Sequence, residues 1–186
     1  MHLGLTAVIP SADVLIQQCL DGDSSAYRAL YDRYSRAMFN TALRIVNRVP
    51  DAEDILQDAF TDAFIKLKDF ENKSTFGAWL KQIVVYKSLN FLKRQRTNLI
   101  DIENIGETAD EVDDESVWYT VDIIKQTMQD LPDGYRTVLS LHLFEGYDHE
   151  EIAEILKVAN STVRTQYIRA KQKLINLLKT RAANEQ

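Results

Sequence analysis

The last part of the sequence carries basic residues in a pattern suited to contact with nucleic acid. Six basic residues and no acidic residue lie between Ser161 and Asn184. At about 100° per residue on a helix, one set of side chains points away from the apolar stripe, with Arg164 and Lys171 on its flank; the set is Thr165, Ile168, Arg169, Gln172 and Lys179. Arginine can pair bidentately with guanine, threonine and glutamine can reach other bases or phosphate, and isoleucine can pack on a thymine methyl. The pattern predicts a helix that reads duplex DNA; the alternative is a basic helix that is merely soluble or docks on an acidic partner.

A second basic segment differs because aromatic residues are interleaved with its charges. Between Lys66 and Arg96 there are eight basic residues and only two acidic ones. The aromatic residues among them are Phe70, Phe76, Trp79, Tyr86 and Phe91. Single strands bind to such segments because unpaired bases stack on rings while lysine and arginine follow the phosphates. The segment predicts a single-strand surface, although Phe76 and Phe91 can equally be core residues.

The residue types argue against a catalytic or metal site. One cysteine, Cys19, and three scattered histidines offer no zinc-ligand spacing. Asp54, Asp58 and Asp62 recur every four residues, but a diphosphate-metal enzyme needs a second, facing carboxylate helix, and none is visible. The segment 149–153 begins like a zinc-protease helix and lacks the second histidine. We therefore expect no catalytic residue, no metal and no cofactor.

The elements that position these residues are predicted to be helices only. Six glycines, three prolines and long stretches of 3.6-residue periodicity favour an all-α chain, and 45% apolar residues suffice for real cores. Residues 1–10 lack a basic start and are too short to export or anchor the chain, so we expect a cytoplasmic protein without membrane insertion.

The net charge of −6 is concentrated in the middle of the chain. Residues 97–124 contain nine acidic residues and no basic one, which predicts a solvated linker. We therefore predict an N-terminal helical domain at 1–96, an acidic linker at 97–116 and a C-terminal helical domain at 117–186.

Four helices are predicted in the first domain. The first follows Ser11 as N-cap and stops at 21–23; the second begins at Ser24 or Ser25, with that serine as cap. Pro50 opens the third, which runs to about residue 68, and the fourth spans 76 to about 96.

A helix-turn-helix is predicted at the end of the second domain. A helix before Leu131 and another ending at Phe144 precede it. Asp148 and Ser161 are the predicted N-caps of its two helices, with residues 157–160 linking them. Two short amphipathic helices with a turn this tight are typical of the DNA-binding motif.

Four segments taken together resemble a known family. They are Asp-Ala-Glu-Asp-Ile-Leu-Gln-Asp-Ala-Phe at 51–60, Phe-Gly-Ala-Trp-Leu-Lys-Gln-Ile at 76–83, Leu-Pro-Asp-Gly-Tyr-Arg at 131–136, and the helix-turn-helix. In this order, over nearly the whole chain, they resemble an extracytoplasmic-function (ECF) sigma factor. The resemblance implies a non-catalytic subunit that recruits core RNA polymerase, recognises promoter elements and promotes strand opening.

The resemblance also implies residue roles. Contact with the clamp helices of the polymerase largest subunit falls to Asp54, Leu56, Gln57, Asp58 and Phe60. Contact with the −10 element, including an extruded base of the non-template strand, falls to Asn72, Lys73, Ser74, Trp79, Asn90, Lys93 and Arg94. Contact with the −35 element falls to Ser161, Thr162, Arg164, Thr165, Ile168, Arg169 and Lys171.

Further partners implied by the resemblance are the polymerase flap and an anti-sigma factor. The linker resembles the segment that threads toward the polymerase active-site and RNA-exit channels; a plain solvated tether is the alternative. The chain departs from the family at Tyr86, where asparagine is usual, and at Lys157, where glycine is usual in the turn. A different class, a ligand- or phosphorylation-controlled regulator, would need a sensor domain, for which the first domain shows no signal.

Overall fold

The computed structural model describes residues 10–98 and 119–184, and every regular element in these two ranges is helical. The α-helices are α1 Ala12–Leu20, α2 Ser24–Val46, α3 Val49–Ile65, α4 Phe76–Asn98, α5 Val121–Met128, α6 Asp133–Leu143, α7 His149–Leu156 and α8 Asn160–Asn184. A short 3-10 helix, Leu67–Asp69, follows α3. The all-α prediction is confirmed. Beyond Asn98, the predicted acidic linker lies outside the described residues.

Local capping sets the helix ends in the first half of the chain, residues 10–98. Ser11 caps α1 as predicted, because its hydroxyl accepts a hydrogen bond from the Val14 amide at 3.3 Å. The cap of α2 is Asp23 and not a serine, so that part of the prediction is wrong. The Asp23 carboxylate accepts hydrogen bonds from the Ser25 hydroxyl at 2.7 Å and amide at 2.8 Å. These two bonds hold the pKa of Asp23 below its usual value.

In the second half, residues 119–184, Asp148 forms the predicted cap of α7. Its carboxylate accepts from the amides of Glu150 and Glu151 at 2.8 Å, and the Glu151 carboxylate accepts from the Asp148 amide at 2.8 Å. This reciprocal capping box satisfies amides that the first helical turn leaves without partners. The same cap accounts for the Asp-His-Glu-Glu sequence without a metal.

The turn of the helix-turn-helix is shorter than predicted. Lys157 adopts the left-handed conformation, with φ 58° and ψ 47°, although it is not glycine. The helix α8 already begins at Asn160, where the Ala159 carbonyl accepts from the amides of Thr162 and Val163. Ser161 therefore lies inside the first turn of α8, and its assignment as N-cap is wrong. The connection before α6 spans residues 129–132, because α5 ends at Met128 and α6 begins at Asp133.

Two apolar clusters form the core, and the larger one joins the two halves. It contains the buried faces of α1–α4 together with Val138, Leu141, Ile152, Ala153 and Val163. The smaller cluster lies within the second half and contains Met128, Leu131, Leu139, Ala170, Leu174 and Leu178. The helices α6–α8 therefore pack against the first half as well as against each other. Among the described helices, none combines the length and apolar character needed to cross a bilayer.

Candidate nucleic-acid and polymerase interfaces

The helix α8 presents its predicted DNA-reading side chains to solvent. Val163 and Ala170 are fully buried on its inner face, whereas Ile168, on the opposite face, is 61% exposed. All the residues predicted for the −35 element are exposed, namely Ser161, Thr162, Arg164, Thr165, Ile168, Arg169 and Lys171. A single helix thus carries an apolar face for packing and a basic face that is available to a ligand.

Aromatic rings hold α8 against the two helices that precede it. The Tyr167 ring lies 4.9 Å from the rings of both His142 and His149, and these two rings are 4.9 Å from each other. The His142 ring also forms a hydrogen bond with the Tyr147 carbonyl through Nδ1 at 2.9 Å. Neither histidine was predicted to take part in this packing, because neither belongs to an apolar stripe.

A groove of about 530 Å³ separates α3 from α4. Asp54 and Asp58 of the predicted polymerase set line its α3 side, and Trp79, Asn90 and Arg94 of the predicted −10 set line its α4 side. The fold therefore brings part of the two predicted sets into one groove.

Lys87 lies in this groove between the carboxylates of α3. Its Nζ is 2.7 Å from Asp62 Oδ2 and 3.9 Å from Asp58 Oδ2. Tyr86 lines the same groove and is 48% exposed, so the departure from the family's asparagine places an aromatic ring there. Neither Lys87 nor Tyr86 was in the predicted −10 or polymerase sets, although Tyr86 was one of the aromatic residues of the predicted single-strand surface. Within the described residues, no group of three or more histidines, cysteines or carboxylates is arranged to hold a metal.

Trp79 is held by its aromatic neighbours. Its ring centroid lies 5.2 Å from Phe70 and 5.8 Å from Phe76. Phe76 is buried, so the core interpretation of this residue is correct. A Cβ at Gly77 would lie 2.9 Å from Tyr34 Cε1, so glycine permits this close approach of α4 to α2.

The loop before α4 carries three further residues of the predicted −10 set. Asn72, Lys73 and Ser74 are all exposed, and Asn72 has a left-handed φ of 55°. Lys73 forms an ion pair with Glu71. The Thr75 hydroxyl accepts from the Ala78 amide at 3.2 Å, which fixes the loop at the start of α4.

Lys93 faces a different part of the molecule. It lines a cavity of about 160 Å³ together with Leu89 of the first half and Leu156, Val158 and Gln166 of the helix-turn-helix. Asn90 and Arg94 line the groove between α3 and α4 instead. The seven predicted −10 residues therefore do not form one continuous surface.

The residues predicted to contact polymerase also lie on more than one surface. Leu56 and Gln57 line a depression with Tyr31, Phe39 and Glu53, on the side of α3 that faces α2. None of these three neighbours was a predicted contact residue, and two of them come from α2.

Phe60 is not available as a contact residue in this structure. It is 3% exposed, and its ring packs 4.7 Å from Tyr31 and 5.6 Å from Phe64. Its assignment as a direct polymerase contact is therefore corrected to a core residue that supports Tyr31.

Comparison with known proteins assigns both halves to one family. The family model for sigma-70 region 2 matches residues 30–97, and that for sigma-70 region 4 matches residues 122–174. Over 175 residues the chain is 28% identical to the ECF RNA polymerase sigma-E factor of Haemophilus influenzae, covering 87% of this chain and 92% of that one. It is also 28% identical to the ECF RNA polymerase sigma factor SigW of Bacillus subtilis, covering 86% and 92%. The chain belongs to the ECF branch of the sigma-70 family.

Solved structures agree with this assignment. CnrH, in complex with the cytosolic domain of CnrY, is 25% identical with a TM-score of 0.55, covering 91% of this chain and 99% of that one. The sigma factor RpoE of Bartonella quintana, in complex with the anti-sigma factor NepR, is 22% identical with a TM-score of 0.56, covering 82% and 96%, and supports the fold. This ECF sigma factor has its groove within the region 2 match and its helix-turn-helix within the region 4 match. The alternative of a ligand- or phosphorylation-controlled regulator is therefore set aside.

Proposed function

We propose that this sigma factor docks on core RNA polymerase, reads the −35 element with α8 and holds the melted −10 strand with α4 and the preceding loop. The observation that carries the proposal is the presence of two chemically different basic surfaces in one chain. The α8 surface is cationic and protrudes from a single helix. The α4 surface combines cations with aromatic rings that border a groove.

In the duplex-reading step, α8 enters the major groove. Arg164 and Arg169 pair with base edges, Thr165 contacts a base or phosphate, and Ile168 packs on a thymine methyl. Ser161 and Thr162 lie in the first turn of α8, where the helix dipole and their exposed hydroxyl side chains favour a phosphate. Lys171, also exposed, adds a phosphate contact that positions the helix.

In the strand-holding step, an extruded base lies against the loop and the start of α4. Extrusion costs a few kcal/mol, which the pocket must offset by stacking and hydrogen bonds. Asn72, Lys73 and Ser74 supply polar groups, and Trp79, braced by Phe70 and Phe76, supplies a ring. Asn90 and Arg94 take the edge of the duplex, together with Lys93 where the halves move apart.

In the docking step, α3 contacts the clamp helices of the polymerase largest subunit. Gln57 offers an exposed amide next to Tyr31 and the mostly buried Leu56, while Asp54 and Asp58 attract basic residues at the rim of the groove. The second half contacts the flap. An anti-sigma factor is a further proposed partner, supported by the structural similarity to CnrH, which was solved with CnrY bound. The predicted domain division at 97–116 remains part of this proposal.

The proposal is tested with the full chain and bacterial core polymerase. We expect a stable complex and run-off transcription from a pool of genomic fragments. Failure to form a complex even at low salt contradicts the proposal.

The division of labour between the two surfaces is tested with Lys73→Ala. This substitution should impair strand opening, measured by permanganate reactivity of unpaired thymines, and should leave capture of the closed duplex unchanged. Equal losses of capture and opening would mean that the loop does not act on the melted strand.

A further inference from the structure

The turn that follows α6 inserts a buried carboxylate between two cations of the first half. The Glu145 side chain is 4% exposed, and its Oε1 lies 2.5 Å from Arg44 Nη2 on α2. On α4, Lys81 Nζ lies 3.8 Å from Glu145 Oε2 and donates to the Glu145 carbonyl at 2.8 Å. One residue of the second half thus binds two helices of the first half.

The residues next to Glu145 strengthen this contact. The Arg44 guanidinium lies over the Phe144 ring at 5.1 Å, and Lys81 Nζ lies over the Tyr147 ring at 5.4 Å. Cation–π contacts of this kind gain strength when they are shielded from water. Burial, followed by the nearby charge of Glu145, raises the pKa of Tyr147, in keeping with a turn enclosed by the first half.

The second half also satisfies the carboxyl end of α2. Ser140 Oγ donates to the Arg44 carbonyl at 3.4 Å, and Arg136 donates to the Ile45 carbonyl at 3.3 Å. In return, the Asn47 side chain donates to the Gln129 carbonyl at 2.9 Å. The last carbonyls of a helix lack intrahelical partners, so these bonds would be exchanged for water if the halves moved apart.

This closed arrangement does not match the spacing of the two DNA elements in the proposed function. The −35 and −10 elements are named for their distances from the transcription start, so they lie roughly 25 base pairs apart, on the order of 80 Å at ~3.4 Å per base pair. In the structure, Lys93 of the −10 set and Gln166, next to Thr165 of the −35 set, line the same cavity of about 160 Å³. A cavity of that volume is only several ångströms across. Both elements cannot be bound until the halves separate.

We propose that Glu145, inserted between Arg44 and Lys81, is an intramolecular latch that holds the free chain closed and must be released when it assembles with polymerase on a promoter. This inference rests on the proposed function. The cost of opening is then paid during assembly, since only the open chain reaches both elements. The latch lowers the fraction of chain that is open and competent to bind. It therefore lowers the apparent affinity for core polymerase.

The charges explain why the contact is stable in the closed chain and why it can be released. Removing one partner of a buried ion pair leaves the other charge buried without a partner. The closed state is therefore strongly destabilised when Glu145 becomes neutral. In the open state Glu145, Arg44 and Lys81 are all solvated, and no buried charge is left without a partner. Neutralising either side should therefore favour opening.

The test uses Glu145→Gln in the full chain, with Glu154→Gln as the matched control. Glu154 is an exposed carboxylate on α7 of the same half, so the control has the same change in net charge. We expect Glu145→Gln to increase the radius of gyration of the free chain in small-angle X-ray scattering. We also expect its affinity for core polymerase to rise by about tenfold. The control should match the wild type in both measurements.

A second variant tests the latch from the first half. Lys81→Met should reproduce the expansion and the gain in affinity, and the double variant Glu145→Gln/Lys81→Met should show less than the sum of the two effects. If both single variants stay as compact as the wild type, or expand without binding core polymerase more tightly, the latch is refuted. A wild-type chain that does not bind core polymerase contradicts the proposed function instead, and the scattering measurement then still decides whether Glu145 holds the halves together.

Discussion

In the second half of the chain, the residues proposed to read DNA all belong to one helix and all are exposed. In the first half, the residues proposed to contact DNA or polymerase come from two helices and a loop, and they are divided among a groove, a depression, a cavity and the core. The sequence pattern therefore predicted the exposed side chains of the second half better than those of the first half.

The difference follows from how each surface is built. On α8, the helical period alone separates the buried Val163 from the exposed Ile168. The helix α3 packs against α2 on one side and α4 on the other. A side chain outside its apolar stripe therefore still contacts a neighbouring helix. Phe60 is buried by Tyr31 and Phe64, while Asp58 meets Lys87 across the groove. A surface on a protruding helix is therefore easier to predict than one enclosed by packed helices.

The largest expected effect separates core from contact in the first half. We expect Phe60→Ala to lower the free energy of unfolding by about 3–5 kcal/mol, because a buried ring leaves a cavity. Gln57→Ala, on the neighbouring exposed position, should change stability by no more than about 0.5 kcal/mol and weaken binding to core polymerase. Urea denaturation and polymerase binding check both. A Phe60→Ala chain of normal stability that fails only to bind polymerase would restore Phe60 as a contact.

The next effect concerns the protruding surface of the second half. We expect Arg169→Ala to lose about 1–3 kcal/mol of discrimination between a matched and a mutated −35 element, because a bidentate base contact is removed. Arg28→Ala is the charge-matched control, since Arg28 lies exposed on α2 beside Asp32. Holoenzyme binding to the two DNA fragments measures the change. A uniform loss on both fragments would assign Arg169 to phosphate contact.

A smaller effect tests the corrected helix start in the second half. We expect Asp148→Ala to destabilise the chain by about 1 kcal/mol, because α7 loses its capping box. Ser161→Ala should cost no more than about 0.5 kcal/mol, because Ser161 lies inside α8 and caps nothing. Thermal unfolding should show a shift of roughly 2–4 °C for the first variant only. The reverse order would return the cap of α8 to Ser161.

The smallest effect on stability concerns the ion pair in the groove. Lys87→Gln and Asp62→Asn should each change stability by less than about 1 kcal/mol, because the pair is partly exposed. Their effects on single-strand binding should differ. Asp62→Asn releases Lys87 toward phosphate and should steepen the dependence of log affinity on log salt by about 0.7, the value for one phosphate on a single strand.

The matching experiment uses the double variant Lys87→Gln/Asp62→Asn with a −10 single-strand oligonucleotide. Its salt slope should return to that of the wild type. If Lys87→Gln alone already lowers the slope, Lys87 contacts the strand directly and Asp62 does not restrain it.

Much of the fold was predictable from residues within one or two helical turns of each other. The cap at Ser11, the proline in the first turn of α3 and the cap at Asp148 are all local features. The errors were local as well, such as Asp23 in place of Ser24 or Ser25, because several adjacent residues were competent caps. Of the contact residues, only the α8 set was predicted with its exposure right throughout.

The sequence by itself determined the all-helical class, most helix ends and the basic face of α8, because each depends on residues a few positions apart. Only the tertiary structure decided that Phe60 is core, that Lys93 faces the helix-turn-helix, and that Glu145 lies between Arg44 and Lys81. Those partners are 101 and 64 residues away along the chain. Burial and ion pairing depend on which distant surfaces meet in space, and neither periodicity nor local composition carries that information.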